Sequence, residues 1–535
     1  MMEIYPEKGR YLPGEDITLS IQYDGAAERF RISVFRLDRC VYTHTLERTG
    51  QKTRLVLPAQ NEDFCGLGVL CETDAGESVT CSVDIQKELR VFRYGFLSDF
   101  SRAETSEADV LAMAKHHVNA VQFYDWSYRH DLLVAEFDDY TDMMGKPNSL
   151  EVIRRKIAAC HNRGMRAVGY GAVYAASEAF AAKHPDWRLY ARAGEPLRFI
   201  EVFAIMNLES GWREHIVAQY RAAVNAGFDG VHMDTYGFPK TALNAADNIV
   251  RLEDDFSPLI EQTRAALQEA TLVFNNVGGW PVERTMHAPI DAVYIEVWPP
   301  FARYEHLRQL IQLAKQAQKP VVLAAYPAPF RLDTPERALN AQLMLMSAIA
   351  AHGATQLWFG EENAALTQGY YADYTRLSAE QEQILRAYDD FIVRYEELLF
   401  DDSLQDVSMT HCGWDNEEYM CDMPYSVTGD GGKLWLILRE QGNRKLITLI
   451  NLTGDDSSLW NAGRNAPEPA CDITLKIQAF SPVKCAWTAS PDSNLGTAEP
   501  IEVTLEKGAR GDIFTICLPR VNRFAILYLE TEDGQ

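Results

Sequence analysis

The feature that most constrains the fold is a repeat of short apolar strand, loop and amphipathic helix between residues 93 and 399. Helical spacing places Ile153, Ile157 and Cys160 on one face of the segment 151–163. Eight segments have the length and apolar character of buried strands: 94–97, 120–124, 166–170, 230–233, 272–275, 292–296, 321–325 and 356–359. Eight such strands alternating with helices predict a (β/α)8 TIM barrel. A doubly wound open sheet is the alternative, but no glycine-rich phosphate loop follows the first strand.

The chain on both sides of this repeat has the pattern of antiparallel β structure. In residues 1–91, short alternating runs such as 16–23 and 30–35 are separated by turn signals, which predicts a small β-sandwich. Residues 400–535 contain further β runs, 434–438 and 445–450 among them, and predict a β-sandwich or Greek-key domain. We therefore expect three domains, 1–91, 92–399 and 400–535, with the barrel in the centre.

Charge and composition exclude several classes of function. The chain has 51 basic and 76 acidic residues, a formal net charge of −25, whereas nucleic-acid and anionic-membrane partners need a basic surface. No apolar run is long enough to span a membrane. The N-terminal residues do not have the pattern of a secretion signal, which predicts a cytoplasmic protein, or a secreted one if a leader has been removed.

The motifs in the sequence do not indicate a bound metal or cofactor. The ten cysteines and twelve histidines do not occur at metal-site spacings, and neither a Walker loop nor a nucleophile elbow is present. We therefore expect no metal and no cofactor. Metal-assisted hydrolysis with His232 and either Asp234 or His130 stays as a less favoured alternative.

Carboxylates and aromatic rings recur where the predicted strands end, which is the edge of a TIM barrel that carries the active site. Aromatic residues make up 11% of the chain. Carboxylates and amides bind sugar hydroxyls, and flat rings cover sugar C–H faces. For any single ring, packing beneath the loops is the alternative. The predicted substrate-binding residues are Asp99, Tyr124, Asp125, Trp126, His130, Tyr174, His232, Tyr236, Asn275, Trp280, Trp298, Tyr326, Trp358 and Glu361.

Two carboxylates stand out as a catalytic pair. Asp234 ends the fourth predicted strand and Glu296 ends the sixth, so we expect the two to face each other across the barrel mouth. Glycosidic cleavage commonly needs two carboxyl groups, one as nucleophile or base and one as proton donor. A loop cap or an ion pair would explain either residue alone. A non-enzymatic carbohydrate-binding protein is a further alternative.

At these residues the sequence resembles glycoside hydrolase family 66, the dextranases and cycloisomaltooligosaccharide glucanotransferases. The segment 228–234 (FDGVHMD) is similar to the one that carries the family's catalytic aspartate, and 294–298 (YIEVW) to the one that carries its glutamate. Further similar segments are 11–15 (YLPGE), 93–100 (RYGFLSDF), 121–126 (VQFYDW), 359–362 (FGEE) with Tyr370 and Tyr371, and 490–492 (SPD).

The resemblance implies an immunoglobulin-like N-terminal domain and a retaining mechanism on α-1,6-glucosidic bonds of dextran or isomaltooligosaccharides. Asp234 would be the nucleophile and Glu296 the general acid/base, with carboxyl groups about 5–5.5 Å apart. A transglycosylase or a retaining glycosidase of another linkage is the alternative.

Two departures from the family pattern bear on specificity. His232, Thr235 and Tyr236 stand where we expect more amide-rich residues, which affects subsite preference. The cyclising members carry a carbohydrate-binding module inserted late in the barrel, whereas the connection 325–356 has the length of one helix. This difference favours hydrolysis over cyclisation.

Overall fold

The protein is described by a computed structural model that covers residues 2–369, 372–413 and 415–532, so Tyr370 and Tyr371 lie outside the described residues. Its centre is a parallel sheet whose strands pair in chain order: Tyr94–Leu97, Ala120–Phe123, Arg166–Ala172, Gly230–Asp234, Thr271–Val277, Ala292–Glu296, Val321–Ala324 and Thr355–Gln356. Thr355 Oγ1 donates to the carbonyl of Phe92 at 2.6 Å, which joins the last strand to the start of the first. The predicted (β/α)8 barrel is confirmed.

Helices follow the barrel strands and cover the outside of the sheet. The longer ones are Ala108–Lys115, Leu150–Asn162, Trp212–Asn225, Glu253–Ala266, Tyr304–Lys315, Pro335–Ala351 and Ala379–Arg394. Shorter helical turns are Glu178–Ala181, Val282–Thr285, Pro329–Leu332 and Glu396–Leu399. The helix Leu150–Asn162 buries Ile153, Ile157 and Cys160, the apolar face expected from their spacing.

The eighth barrel strand differs from its prediction. It comprises only Thr355–Gln356, and Phe359–Gly360 instead pairs antiparallel with Ala364–Gln368, which in turn pairs with Asp373–Arg376. The physical reason is Glu361, whose buried carboxylate accepts a hydrogen bond from the backbone N–H of Ser98 at 2.6 Å. This bond holds the chain against the end of the first strand, so it leaves the parallel ladder early.

Three connections at the carboxyl ends of the strands contain small sheets. Asp139–Thr141 pairs with Pro147–Ser149 after strand 2. Ala175–Ala176, Phe203–Ile205 and Arg198–Phe199 form a three-stranded sheet after strand 3. Tyr190–Arg192 pairs with Thr241–Leu243, which joins the connections after strands 3 and 4 in a four-stranded sheet with Glu195–Pro196 and Ile249–Arg251.

The connection between strands 7 and 8 is short, as expected. It is described throughout and contains the helices Pro329–Leu332 and Pro335–Ala351 with no inserted domain.

The N-terminal part is a sandwich of two antiparallel sheets with one shared apolar core. Its three-stranded sheet has the order Met2–Pro6, Ile17–Tyr23, Lys52–Leu57, and its four-stranded sheet the order Arg39–Glu47, Arg29–Arg36, Phe64–Thr73, Ser78–Gln86. It packs on the last barrel helix, where the carboxylate of Asp390 accepts from the N–H of Ser82 at 2.6 Å.

The C-terminal part is also a two-sheet β structure around its own core. One sheet has the order Gln405–Asp406, Leu434–Gln441, Arg444–Asn451, Phe524–Thr531, Val483–Ala489, Glu499–Pro500, with Tyr425–Ser426 beside its second strand. The other has the order Tyr419–Cys421, Ala470–Ala479, Gly511–Val521, Val503–Gly508. A barrel flanked by β domains is the predicted architecture. We keep the boundaries after residues 91 and 399 as proposals.

Two further expectations can be compared with the described residues. All ten cysteines carry free thiols. None of the helices in the described ranges has the length and apolar character needed to cross a membrane.

Candidate active site

A cavity of about 280 Å³ opens at the carboxyl ends of the barrel strands. Ten of the sixteen residues predicted from the sequence line it: Tyr124, Asp125, His130, His232, Asp234, Tyr236, Asn275, Glu296, Trp298 and Tyr326. We call this cavity the cleft. Its position at the ends of the strands is the one expected for a TIM-barrel active site.

Asp234 and Glu296 flank a single strand at the floor of the cleft. Asp234 is the last residue of strand 4, Glu296 is the last residue of strand 6, and Asn275 lies on strand 5 between them. The two carboxylates are therefore neighbours on one side of the mouth, with the amide of Asn275 between them. Both side chains are half-buried.

A nitrogen atom that contacts both carboxylates limits the distance between them. Nδ2 of Asn275 donates to Oδ1 of Asp234 at 2.6 Å and lies 3.2 Å from Oε2 of Glu296. The two oxygens can be no further apart than the sum of these distances. This limit applies to the two oxygens that face Asn275, and it agrees with the short carboxyl separation of a retaining pair.

Two tyrosine hydroxyls hold the outer oxygens of the pair. Tyr170 donates to Oδ2 of Asp234 at 2.9 Å, and Tyr326 donates to Oε1 of Glu296 at 3.1 Å. Each carboxylate is thus held at both oxygens, so its orientation is fixed before a ligand binds.

The environment favours one shared proton on the pair at neutral pH. Withdrawal from water and then the nearby charge of Glu296 raise the pKa of Asp234 to about 8. Withdrawal from water also raises the pKa of Glu296. Two carboxylates this close do not both ionise readily. The hydrogen bonds that Asp234 accepts from Asn275 and Tyr170 act in the opposite direction and lower its pKa, and the closer contact of Asn275 is the one to Asp234.

The histidines of the cleft are neutral. Burial lowers the pKa of His232 to about 3 and that of His130 to about 4. His232 lies beneath the carboxylates, with its Nδ1 3.2 Å from the hydroxyl of Tyr94. Within the described ranges, no group of three or more histidine, cysteine, aspartate or glutamate side chains is arranged to hold a metal ion.

Asp125 contributes a third carboxylate to the cleft. It follows strand 2 with a φ of +50°, in the left-handed region. Burial raises the pKa of its carboxyl group to about 7. It can therefore present either a hydrogen-bond donor or an acceptor near neutral pH.

Six predicted residues do not line the cleft, and two of these support its wall from behind. Trp126 is fully buried and its indole N–H donates to the carbonyl of Tyr170 at 3.0 Å. The Tyr174 hydroxyl donates to the carbonyl of Phe238 and accepts from the N–H of Tyr236 at 2.8 Å. Both side chains position cleft residues without facing the cavity.

The other four, Asp99, Trp280, Trp358 and Glu361, lie away from the cavity, and Asp99 is exposed on the loop after strand 1. Trp280 is covered by Lys240, whose ammonium group lies 3.5 Å from the ring centroid. Trp358 is 5% exposed and meets the ring of His116 edge-on in the core. Glu361 accepts from the backbone N–H groups of Ser98 and Asp99, so it anchors the loop after strand 1. Trp280 and Trp358 therefore pack against other side chains and do not line the cleft.

The cleft also contains residues that the sequence reasoning missed. Tyr170 and Tyr294 point inward from strands 3 and 6, and Phe199, Ile200 and Phe203 come from the hairpin after strand 3. Tyr170 could have been found, because it has the inward parity of Ala172, which lies beside Asp234 in the parallel pairing. The hairpin lies in a long connection and has no comparable signal.

Comparison with known proteins gives one family. The family model described as "Glycosyl hydrolase family 66" matches residues 6–528. A curated relative, the cycloisomaltooligosaccharide glucanotransferase of Niallia circulans, is 22% identical, and the alignment covers 98% of this chain and 71% of the relative. That alignment is 703 positions long and this chain has 535 residues, so the relative contains residues within the aligned stretch that have no counterpart here.

Solved structures with the same fold include a cycloisomaltooligosaccharide glucanotransferase from Paenibacillus sp. complexed with cycloisomaltoheptaose. It superposes with a TM-score of 0.90 at 20% identity, and the match covers 99% of this chain and 100% of that one. A maltogenic α-amylase from Thermotoga neapolitana matches with a TM-score of 0.53 at 13% identity, over 82% of this chain and 99% of that one.

Proposed function

The chain belongs to glycosyl hydrolase family 66, and on that premise we propose that it is a retaining glycoside hydrolase of α-1,6-linked glucans. The proposed substrates are dextran and isomaltooligosaccharides. The observation that carries the proposal is the shared contact of Asn275 with Asp234 and Glu296 at the ends of strands 4 and 6. One amide nitrogen that contacts both carboxylates keeps them close, and a double displacement requires a short separation between its two carboxyl groups.

In the first step, Asp234 attacks the anomeric carbon and the glycosidic bond breaks. Glu296 gives its proton to the departing oxygen, and a covalent glucosyl ester forms on Asp234. In the second step, Glu296 takes a proton from water, whose oxygen attacks the anomeric carbon and releases Asp234. The donors Tyr170 and Asn275 stabilise the Asp234 carboxylate before attack and again when it leaves.

The proposed linkage rests on the relatives. The Niallia circulans relative is named for action on cycloisomaltooligosaccharides, and the Paenibacillus protein is complexed with cycloisomaltoheptaose. The nine phenylalanine, tyrosine and tryptophan rings of the cleft offer apolar surfaces for glucosyl units. Hydrolysis is favoured over cyclisation because the connection between strands 7 and 8 holds two helices and no inserted domain.

The test is incubation with dextran and, separately, with one defined isomaltooligosaccharide. We expect new reducing ends, and α-configured products at early times by proton NMR. Asp234→Asn and Glu296→Gln serve as matched variants that keep side-chain size and remove the carboxyl. Absence of reducing ends from both substrates would contradict the proposal, and initial β products would contradict retention. Cyclic products would instead indicate a glucanotransferase, and a panel of aryl α-glycosides tests other linkages.

A further inference from the structure

The hairpin after strand 3 has an unusual turn at the edge of the cleft. Arg198–Phe199 pairs with Phe203–Ile205, with Phe199 opposite Phe203. The N–H of Val202 donates to the carbonyl of Phe199 at 3.2 Å and closes a β-turn. The two central residues of this turn are Ile200 and Glu201, at φ angles of +46° and +60°. Both lie in the left-handed region, as in a type I′ turn.

The sequence of this turn does not suit its backbone. Type I′ turns favour Asn-Gly, Asp-Gly or Gly-Gly, because these residues tolerate positive φ. A β-branched residue such as isoleucine is strained there, since its Cβ crowds the backbone. Strain of this kind persists where the surrounding structure imposes it, and it is concentrated at ligand-binding sites.

Ring contacts on both strands of the hairpin hold the turn in place. The ring of Phe199 stacks on Tyr236 with centroids 4.2 Å apart and planes 11° apart. The ring of Phe203 packs against His130 at 4.8 Å. Both partners line the cleft, so the hairpin is attached to the cleft wall and its tip is fixed beside the cavity.

Burial does not account for an isoleucine at the tip. Ile200 is 37% exposed, and yet it lines the cleft. Met144, on the loop after strand 2, is 41% exposed and lines the same cavity. Two exposed apolar side chains from different connections therefore border the space above the carboxylates. An apolar surface that is exposed in the empty protein and faces a cavity is suited to contact with a ligand.

We propose that Ile200 is a specificity-determining residue that packs against the C–H face of a glucosyl unit held in the cleft. The left-handed turn aims its side chain at the sugar, and the protein retains the strain for that contact. This inference rests on the proposed function, because it takes the ligand to be an α-glucan. It adds a contact from the connection after strand 3 to the residues at the strand ends.

The test replaces the turn by one that suits its backbone. In Ile200→Asn/Glu201→Gly, the two residues are those preferred in type I′ turns, so we expect the melting temperature to rise by about 1–3 °C. Binding of isomaltohexaose is measured by calorimetry in the Asp234→Asn background, which removes turnover. We expect the Kd to rise about tenfold, the size of effect expected from losing one apolar contact. With active protein, KM should rise similarly while kcat stays within about twofold.

Two controls separate the side chain from the backbone. Glu201→Gly relaxes the turn and keeps Ile200, so its Kd should stay near that of the parent. Gln318→Gly relaxes another left-handed residue, at φ +55°, which is exposed at the opposite end of the barrel before strand 7. It should raise the melting temperature without a change in Kd.

The outcomes distinguish the two proposals. An unchanged Kd in the double variant overturns the role of Ile200, whatever the melting temperature. A lower melting temperature with weaker binding overturns the strained turn as the cause. If the sugar binds but the active protein releases no reducing ends, the hydrolase proposal fails and the Kd comparison still decides the role of Ile200. If no isomaltooligosaccharide binds the parent, both fail.

Discussion

The hydroxyl of Tyr170 donates a hydrogen bond to Oδ2 of Asp234 at 2.9 Å, from the neighbouring barrel strand. Donation to the charged form lowers the pKa of this carboxyl group, against the effect of its withdrawal from water. Tyr170 therefore favours the anionic form of Asp234, relative to the same carboxyl group without this donor.

Tyr170→Phe should lower kcat/KM roughly 10–100-fold, the cost of one hydrogen bond to a charged group. Because the pKa of Asp234 rises when the donor is lost, more of it is protonated at a given pH. The acidic limb of the kcat/KM profile should therefore move to higher pH. Tyr140→Phe removes a buried hydroxyl that binds the carbonyl of Trp126 outside the cleft, and serves as control. An unshifted acidic limb in Tyr170→Phe would be evidence against this role.

Asp234→Asn should inactivate the enzyme and stabilise the fold. The pKa of Asp234 is about 8 in the folded protein and 3.8 in its ordinary state, so the unfolded chain loses this proton more readily. Stability from the carboxyl group is complete below the lower value and declines as pH rises towards the higher one. Asparagine does not ionise, so its gain in melting temperature should be larger at pH 8 than at pH 4.5 in calorimetry. A gain that is absent or independent of pH would contradict the raised pKa.

Tyr326→Phe and Gly369→Ala should have the same effect on Glu296. A Cβ on Gly369 would lie 2.2 Å from the hydroxyl of Tyr326, so alanine must displace that hydroxyl from Glu296. Loss of the donor raises the pKa of Glu296, the proposed acid. The alkaline limb of the kcat/KM profile should move to higher pH in both variants. The double variant should move it no further, and additive shifts would show that Gly369 acts by another route.

Alanine substitutions of Trp298 and Trp358 should distinguish a ring that binds substrate from a ring that stabilises the core. Trp298 is half-buried in the cleft beside Tyr326, so Trp298→Ala should raise KM about tenfold with little change in melting temperature. Trp358 is 5% exposed in the core, so Trp358→Ala should destabilise the protein by about 3–5 kcal/mol and leave the KM of the folded fraction near normal. Urea unfolding and initial-rate kinetics on both variants check these expectations. A raised KM in Trp358→Ala, with an unchanged free energy of unfolding, would be evidence that Trp358 binds substrate.

The barrel and the edge that carries the cleft could be predicted, because the sequence repeats short apolar strands and amphipathic helices in alternation. The direction in which a side chain points at the end of a strand could not be predicted. Asp125 and Trp126 are adjacent and were both predicted to bind substrate, yet Asp125 lines the cleft and Trp126 is buried behind it. The left-handed backbone at Asp125 breaks the alternation of the strand, so that Tyr124 and Asp125 both line the cleft and Trp126 faces away from it. Ile200 was missed because its position depends on long-range packing of Phe199 on Tyr236.

The pairing of Tyr190 with Leu243 joins the connections after strands 3 and 4 in one sheet, and the second of these directly follows Asp234. The two loops therefore depend on each other structurally and should be engineered together. A graft that transfers either loop alone into a related barrel would leave an unpaired strand edge and disturb the residue next to Asp234, the proposed nucleophile. New specificity in this scaffold should accordingly be sought by exchanging residues 173–211 and 235–252 together, or by changing the Ile200 tip, whose turn can be altered without breaking the shared sheet.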